Sequence, residues 1–132
     1  MSPSTHPTRG QGQSIDLVEK IAQIDGHWQP RVVAEMNDYQ FKVVKVEGEF
    51  QWHRHADTDE TFIVLEGVLH IDVRDADTIV LHSGQMAVVP RNVEHRPHAT
   101  SEVKLLLIEP RGVRNTGDGP PGERTVANDQ WI

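Results

Sequence analysis

Between Arg31 and Pro110 the chain is a succession of short apolar-rich runs, each closed by a turn, with no helical period between them. The runs read RVVAEM, YQFKVVKV, EFQWHRH, ETFIVLE, VLHIDVR, TIVLH, QMAVVP and EVKLLLIEP. Asn37-Asp38 is a two-residue hairpin signal, and ADTD, Glu66-Gly67, Asp75-Ala76-Asp77 and Ser83-Gly84 punctuate the rest. A parallel sheet needs a crossover of a dozen residues or more between strands, usually a helix, and there is no room for one here. About eight short strands at this spacing predict an all-β sandwich or barrel.

The flanks read differently. Residues 1–13 are rich in Pro, Gly, Ser, Thr and Gln and are expected to be a disordered tail, leaving 14–132 as a single domain. Ser14 is the expected N-cap of a short helix over IDLVEKIAQI, whose apolar positions fit a 3.6 period, with Gly26 as its terminator. After Pro110, NTGDGPPGE reads as a flexible loop, and ERTVANDQWI as an extended segment that docks Trp131 and Ile132 on the body. KLLLI is apolar on both strand faces, and VLHI and FIVL are partly so. Some outer surface is therefore expected to be covered by the N-terminal helix, the C-terminal segment or a second subunit.

Charge and composition narrow the function. A net charge of −7 argues against a nucleic-acid partner, since phosphate binding needs a cationic face. No apolar run approaches the roughly 20 residues of a membrane span, and the N-terminus lacks the apolar core of a secretory signal, so a cytoplasmic setting is expected. With no cysteine, a bound metal must be held by histidine and carboxylate.

Eight histidines are the anomaly, and two of them stand one residue apart in HRHADTDE. In an extended chain alternate side chains share a face, so His53 and His55 form an imidazole pair while Trp52 and Arg54 point away. After the ADTD turn, Glu60 is the acid best placed beside that pair. Asp57 and Asp59 fall in the turn, where local backbone is the expected partner. These eight residues alone leave open whether the pair is a metal clamp or a solvated turn. A later stretch, GQMAVVPRNVEHRPH, brings a glycine, an apolar run, a proline turn and His95.

Residues 48–67 resemble the first motif of the cupin superfamily, G-x5-H-x-H-x3–4-E-x6-G, through Gly48, His53, His55, Glu60 and Gly67, with one residue fewer after the first glycine. Residues 84–99 resemble the second, G-x5-P-x-G-x2-H-x3-N, through Gly84, Pro90 and His95. Asn92 replaces the inner glycine, a mild change because Asn tolerates positive φ, and Ala99 replaces the final asparagine. The resemblance implies a double-stranded β-helix, the RmlC-like jelly-roll barrel, preceded by the short helix. It also implies His53, His55, Glu60 and His95 as ligands of one divalent transition metal. Such a set leaves Fe, Mn, Zn, Ni, Co and Cu all open.

Other positions have plainer readings. Gln51 shares parity with the two histidines and is expected at the pocket mouth, as a candidate substrate contact. Lys42, among apolar neighbours, is a candidate acid/base or anion anchor, or else a snorkelling edge lysine. His98 is expected at the barrel rim, His70 and His82 on outer faces, and Glu94 toward water. Tyr39, Phe41, Val43, Met86 and Val88 are expected in the core. Small cupins of this kind are termed mannose-6-phosphate-isomerase-like, and the resemblance implies a metal-dependent enzyme acting on a small polar metabolite, by dioxygenase, isomerase or lyase chemistry, and a homodimer. A non-catalytic module that binds or senses a small molecule is the alternative.

Overall fold

The computed structural model describes residues 9–132. A single helix, α1 (Leu17–Ala22), precedes seven strands: β1 (Arg31–Met36), β2 (Tyr39–Glu49), β3 (Glu60–Glu66), β4 (Leu69–Val73), β5 (Ile79–Leu81), β6 (Met86–Val89) and β7 (His95–Pro110). All pairings between these strands are antiparallel. The path is β1-β2-β7-β3-β6, with β4 joined to β7 and β5 to β4. This is the all-β jelly roll, with one short helix.

The 16-residue β7 organises it. Its first residues pair with β4, from Val73↔His95 to His70↔His98, and its remainder pairs with β2 on one side and β3 on the other. The register with β2 slips between Val46 and Gly48, where Gly48 takes φ 86°. Only a residue without Cβ adopts that left-handed backbone without strain, so β2 ends here and the chain is free to turn toward His53.

Strand alternation divides the apolar residues between two clusters. Val44, Val46, Phe62, Val64, Leu69, Ile71, Val103, Leu105 and Leu107 fill the barrel with Trp28 and Phe50. On the opposite face, Val33, Phe41, Val43, Leu65 and Leu106 meet Ile21 and Ile24 of the helix region, and Ile132. The two-sided strands β2, β3 and β7 are thus covered on this face by the helix and the C-terminal segment. The latter docks as expected, with Trp131 bridged in parallel to Val32 and the Ile132 amide donating to the Val32 carbonyl at 3.1 Å.

Several expectations shift. Asp16, not Ser14, caps α1, its Oδ1 accepting from the Glu19 amide at 3.0 Å, and the helix stops at Ala22. EFQWHRH is not a strand. Beyond Glu49 it forms single links, Phe50 N to Pro97 O and a lone bridge between His53 and His95. β7 begins at His95 rather than Glu102. Pro97 hides this in the sequence, yet its missing N–H costs nothing here because its carbonyl is what the strand uses, accepting from Phe50. Tyr39, Met86 and Val88 are exposed rather than core. On β6 it is small Ala87 and Val89 that face inward, the opposite parity. Of the tail, residues 1–8 lie outside the described residues. Arg9 and Gln11 are bonded to β1, through the Glu35 carboxylate at 2.5 Å and the Glu35 carbonyl at 2.9 Å.

Candidate metal centre

His53 and His95 exchange both backbone hydrogen bonds, His53 N to His95 O at 3.0 Å and His95 N to His53 O at 2.9 Å. That two-bond pair sets their rings side by side, with centroids 4.3 Å apart. His55 is anchored by its carbonyl, which accepts from the Asn92 amide at 2.7 Å. Asn92 has φ 63°, the positive angle expected of it in place of glycine. Glu60 opens β3 opposite Val89. The four side chains are buried, and one donor atom from each lies within 4.8 Å of the others. The structure therefore brings together all four residues that the sequence singles out.

Their orientation suits coordination. Nδ1 of His53 donates to the Gln51 carbonyl at 3.0 Å, and Nδ1 of His95 to the Val93 carbonyl at 2.9 Å. With Nδ1–H so occupied, Nε2 is left as the lone-pair donor, the tautomer a metal requires. Nε2 of His95 lies 3.2 Å from Glu60 Oε1, and Nε2 of His55 lies 3.6 Å from the same oxygen. That His55 nitrogen is buried and has no hydrogen-bond partner. A buried orphan nitrogen is costly unless something binds it. Three imidazoles and a carboxylate fit a borderline divalent first-row metal.

Charge agrees with this. Burial, with the neighbouring His95, lowers the His53 pKa to about 4, so its ring is neutral at pH 7. Burial disfavours the charged forms of both His55 and Glu60, but their mutual attraction prevails. The histidine is held above its usual range, and the carboxyl, with His95 also beside it, well below its own. Phe50 and Phe62 pack in T-shaped contact with the His53 and His95 rings.

A cavity of about 40 Å³ adjoins the cluster, walled by His53 and Glu60 at one end and by Trp28, Phe50, Phe62, Leu105 and Leu107 over most of the rest. On the other side a polar cleft, lined by His55, Asp57, Thr58, Arg114 and Asp118, opens to solvent. Neither Gln51 nor Lys42 stands on the cavity wall. Gln51 packs against Gly122, where any Cβ would strike its side-chain oxygen, and it serves His53 through its carbonyl. Lys42 does not snorkel. It is buried and donates to Glu109 Oε1 at 2.7 Å. His98 bonds Asp72, His70 stacks on His98, and Glu94 pairs with Arg74 at the surface.

Glu109 lines the cavity and is a residue that the sequence reading passed over. Burial, then the negative charge of Glu60, push its carboxyl up to about 8, against the pull of Lys42. The Glu60 contribution shrinks wherever a cation shares that charge. A signal existed: Val103, Leu105 and Leu107 share a face, and Glu109 is next in that alternation.

The cupin domain family matches residues 40–109, more than half of the chain. This chain is a cupin. A cupin-2 domain protein of Shewanella frigidimarina NCIMB 400 is 59% identical in its solved structure, with TM-score 0.71, covering 74% of this cupin and 94% of that chain. A protein of Neisseria meningitidis is 35% identical, with TM-score 0.68, covering 74% and 99%. The uncharacterized protein YdbB of Bacillus subtilis (strain 168) is 38% identical over 77 residues, 58% of this cupin and 68% of YdbB. Among the described residues no helix is long and apolar enough to cross a membrane.

Proposed function

We propose that His53, His55, Glu60 and His95 hold one divalent first-row metal, and that this cupin is a metal-dependent enzyme acting on a small molecule by dioxygenase, isomerase or lyase chemistry. The observation that carries the reading is four buried donors converging within 4.8 Å, with the His55 Nε2 unspent, at the end of a cavity. When bound, such a metal supplies Lewis acidity or a site for oxygen activation. The chain does the rest. Backbone carbonyls of Gln51 and Val93 fix two rings, and aromatic and aliphatic walls exclude water from the substrate side. The substrate is polar where it meets the metal and apolar where it meets Phe62 and Leu105.

Metal analysis of protein purified without added metal tests this, with about one equivalent per chain expected. His53→Ala with His55→Ala is expected to bring that close to zero while the circular dichroism of the β fold is kept. Full metal retention in the double variant sinks the assignment. Oxygen uptake then separates redox from non-redox chemistry. A second reading, a binding or sensing module in a cytoplasmic setting, draws on the small cavity. It predicts a tight ligand that is recovered unchanged.

The homodimer belongs to the same proposal. It is supported by edge strand β6, which exposes Met86 and Val88, each at least half accessible. Light scattering is expected to give twice the chain mass, falling to one chain mass in Met86→Lys with Val88→Lys. A wild-type monomer ends that part of the reading.

A further inference from the structure

The polar atoms on the cavity wall can be accounted for one by one. Asn115 is spent, its Nδ2 donating to the Arg124 carbonyl at 2.7 Å and its Oδ1 accepting from the Val126 amide at 3.2 Å. The Trp28 indole donates to the Glu47 carbonyl at 2.9 Å. His53 and Glu60 belong to the metal cluster. Glu109 remains. Its Oε1 takes the Lys42 ammonium, while its Oε2 is buried and has no hydrogen-bond partner. The residue is 2% exposed and Lys42 4%. The remaining walls are valine, leucine, phenylalanine and proline residues, which offer no polar side-chain atom.

A buried ion pair is costly to desolvate and is often replaceable by apolar residues without loss of stability, so its presence beside a cavity asks for a further use. We propose that Glu109 is the specificity-determining residue of this pocket: with a metal sharing the Glu60 charge and Lys42 donating to Oε1, the carboxylate is ionised, and its free Oε2 accepts a hydrogen bond from an N–H or O–H carried next to the metal-chelating atoms of a small, otherwise apolar ligand. The inference rests on the metal reading above. It adds a substrate class, a compact chelating molecule such as a hydroxamate, enol or hydroxy-carbonyl compound with one donor, and it disfavours donor-free chelators of the same size. Sites built to bond a donor reject analogues that lack it strongly, because the protein's own polar group is then left unpaired. Lys42 is the positioning residue, since its bond to Oε1 leaves Oε2 as the free atom.

The test uses the full chain loaded with cobalt(II), whose visible spectrum reports both loading and ligand exchange. The probes are acetohydroxamic acid and N-methylacetohydroxamic acid, which differ only in the N–H. Wild type is expected to prefer the N–H compound by about tenfold or more. Lys42→Met with Glu109→Leu replaces the pair by apolar side chains of similar bulk, so the fold is expected to survive. There the preference is expected to fall to about onefold or to reverse, with the cobalt spectrum unchanged in the absence of probe. The change in ratio, rather than the ratio itself, separates Glu109 from simple crowding by the methyl group. An equal affinity of wild type for both probes overturns the inference, as it would if Oε2 were spent on Glu60. An unchanged ratio in the double variant also overturns it. Failure to load cobalt overturns the metal reading and this inference together, whereas loading without discrimination overturns this inference alone.

Discussion

At the scale of single residues, what the sequence reveals is chemistry that is rare and local. His53 and His55 stand out because two imidazoles one residue apart seldom serve a core. Glu60 follows from its place after the ADTD turn, and His95 from the resemblance to the second cupin motif. Glu109 does not, because its partner Lys42 is 67 residues away and nothing in LLLIEP marks the glutamate as paired. Glu35 is another such residue. It is buried, and it accepts from Arg111, Gln40 and Arg9, with Arg111 foremost in drawing its pKa down to about 2. A depressed carboxyl stabilises the fold above its unfolded pKa, near 4.5, and that contribution is lost as pH falls toward 2. At about 1.4 kcal/mol per unit, and discounting for the partly exposed arginines, it contributes about 2 kcal/mol. Glu35→Gln is expected to be less stable than wild type by about that amount in urea at pH 7, with the gap closing near pH 2. A gap that persists unchanged in acid would show that packing, not charge, is responsible.

At the scale of elements, periodicity located seven strands but added one in EFQWHRH that does not form, and it misplaced some ends and faces. Ends depend on partners distant in sequence, as with β7, which continues through Pro97 because β4 and Phe50 supply its bonds. Faces failed on β6, where Met86 and Val88 outweigh Ala87 in hydropathy yet point outward. The helix shows what its brevity implies. Six residues are marginal in isolation, so α1 persists through packing rather than propensity. Ile21, fully buried against the outer face of the sheet, carries much of that packing. Ile21→Ala is expected to cost about 2–4 kcal/mol in thermal or urea unfolding. Metal affinity should be unchanged, because this cluster lies on the opposite side of the sheet from the barrel interior. A loss of metal with little loss of stability would mean that the two clusters are coupled.

At the scale of the whole molecule, the C-terminal segment is more than a cover for the outer sheet. After β7 it crosses back to the barrel mouth and grips the His53–His55 stretch by its backbone. The Ala56 amide donates to Asp118 Oδ2 at 2.6 Å, and the Asp118 amide donates to the Arg54 carbonyl at 3.1 Å. Gly117, at φ 78°, lies so close to Arg54 that a Cβ there would collide with its backbone. The stretch 50–55 lacks a strand ladder, so this clamp, the Phe50–Pro97 bond, the His53–His95 bridge and the Asn92–His55 bond replace it. Removing one of four such supports should loosen the stretch without unfolding the barrel. Asp118→Ala is therefore expected to leave the melting temperature within a few degrees of wild type while raising amide exchange at Arg54–Ala56. In metal-loaded protein it should speed chelator-driven metal release by about tenfold, the scale of effect seen when supports outside the ligand set are removed. If release is unchanged while exchange at Ala56 rises, the ligands are held by the barrel alone and the clamp serves only the cleft beside His55.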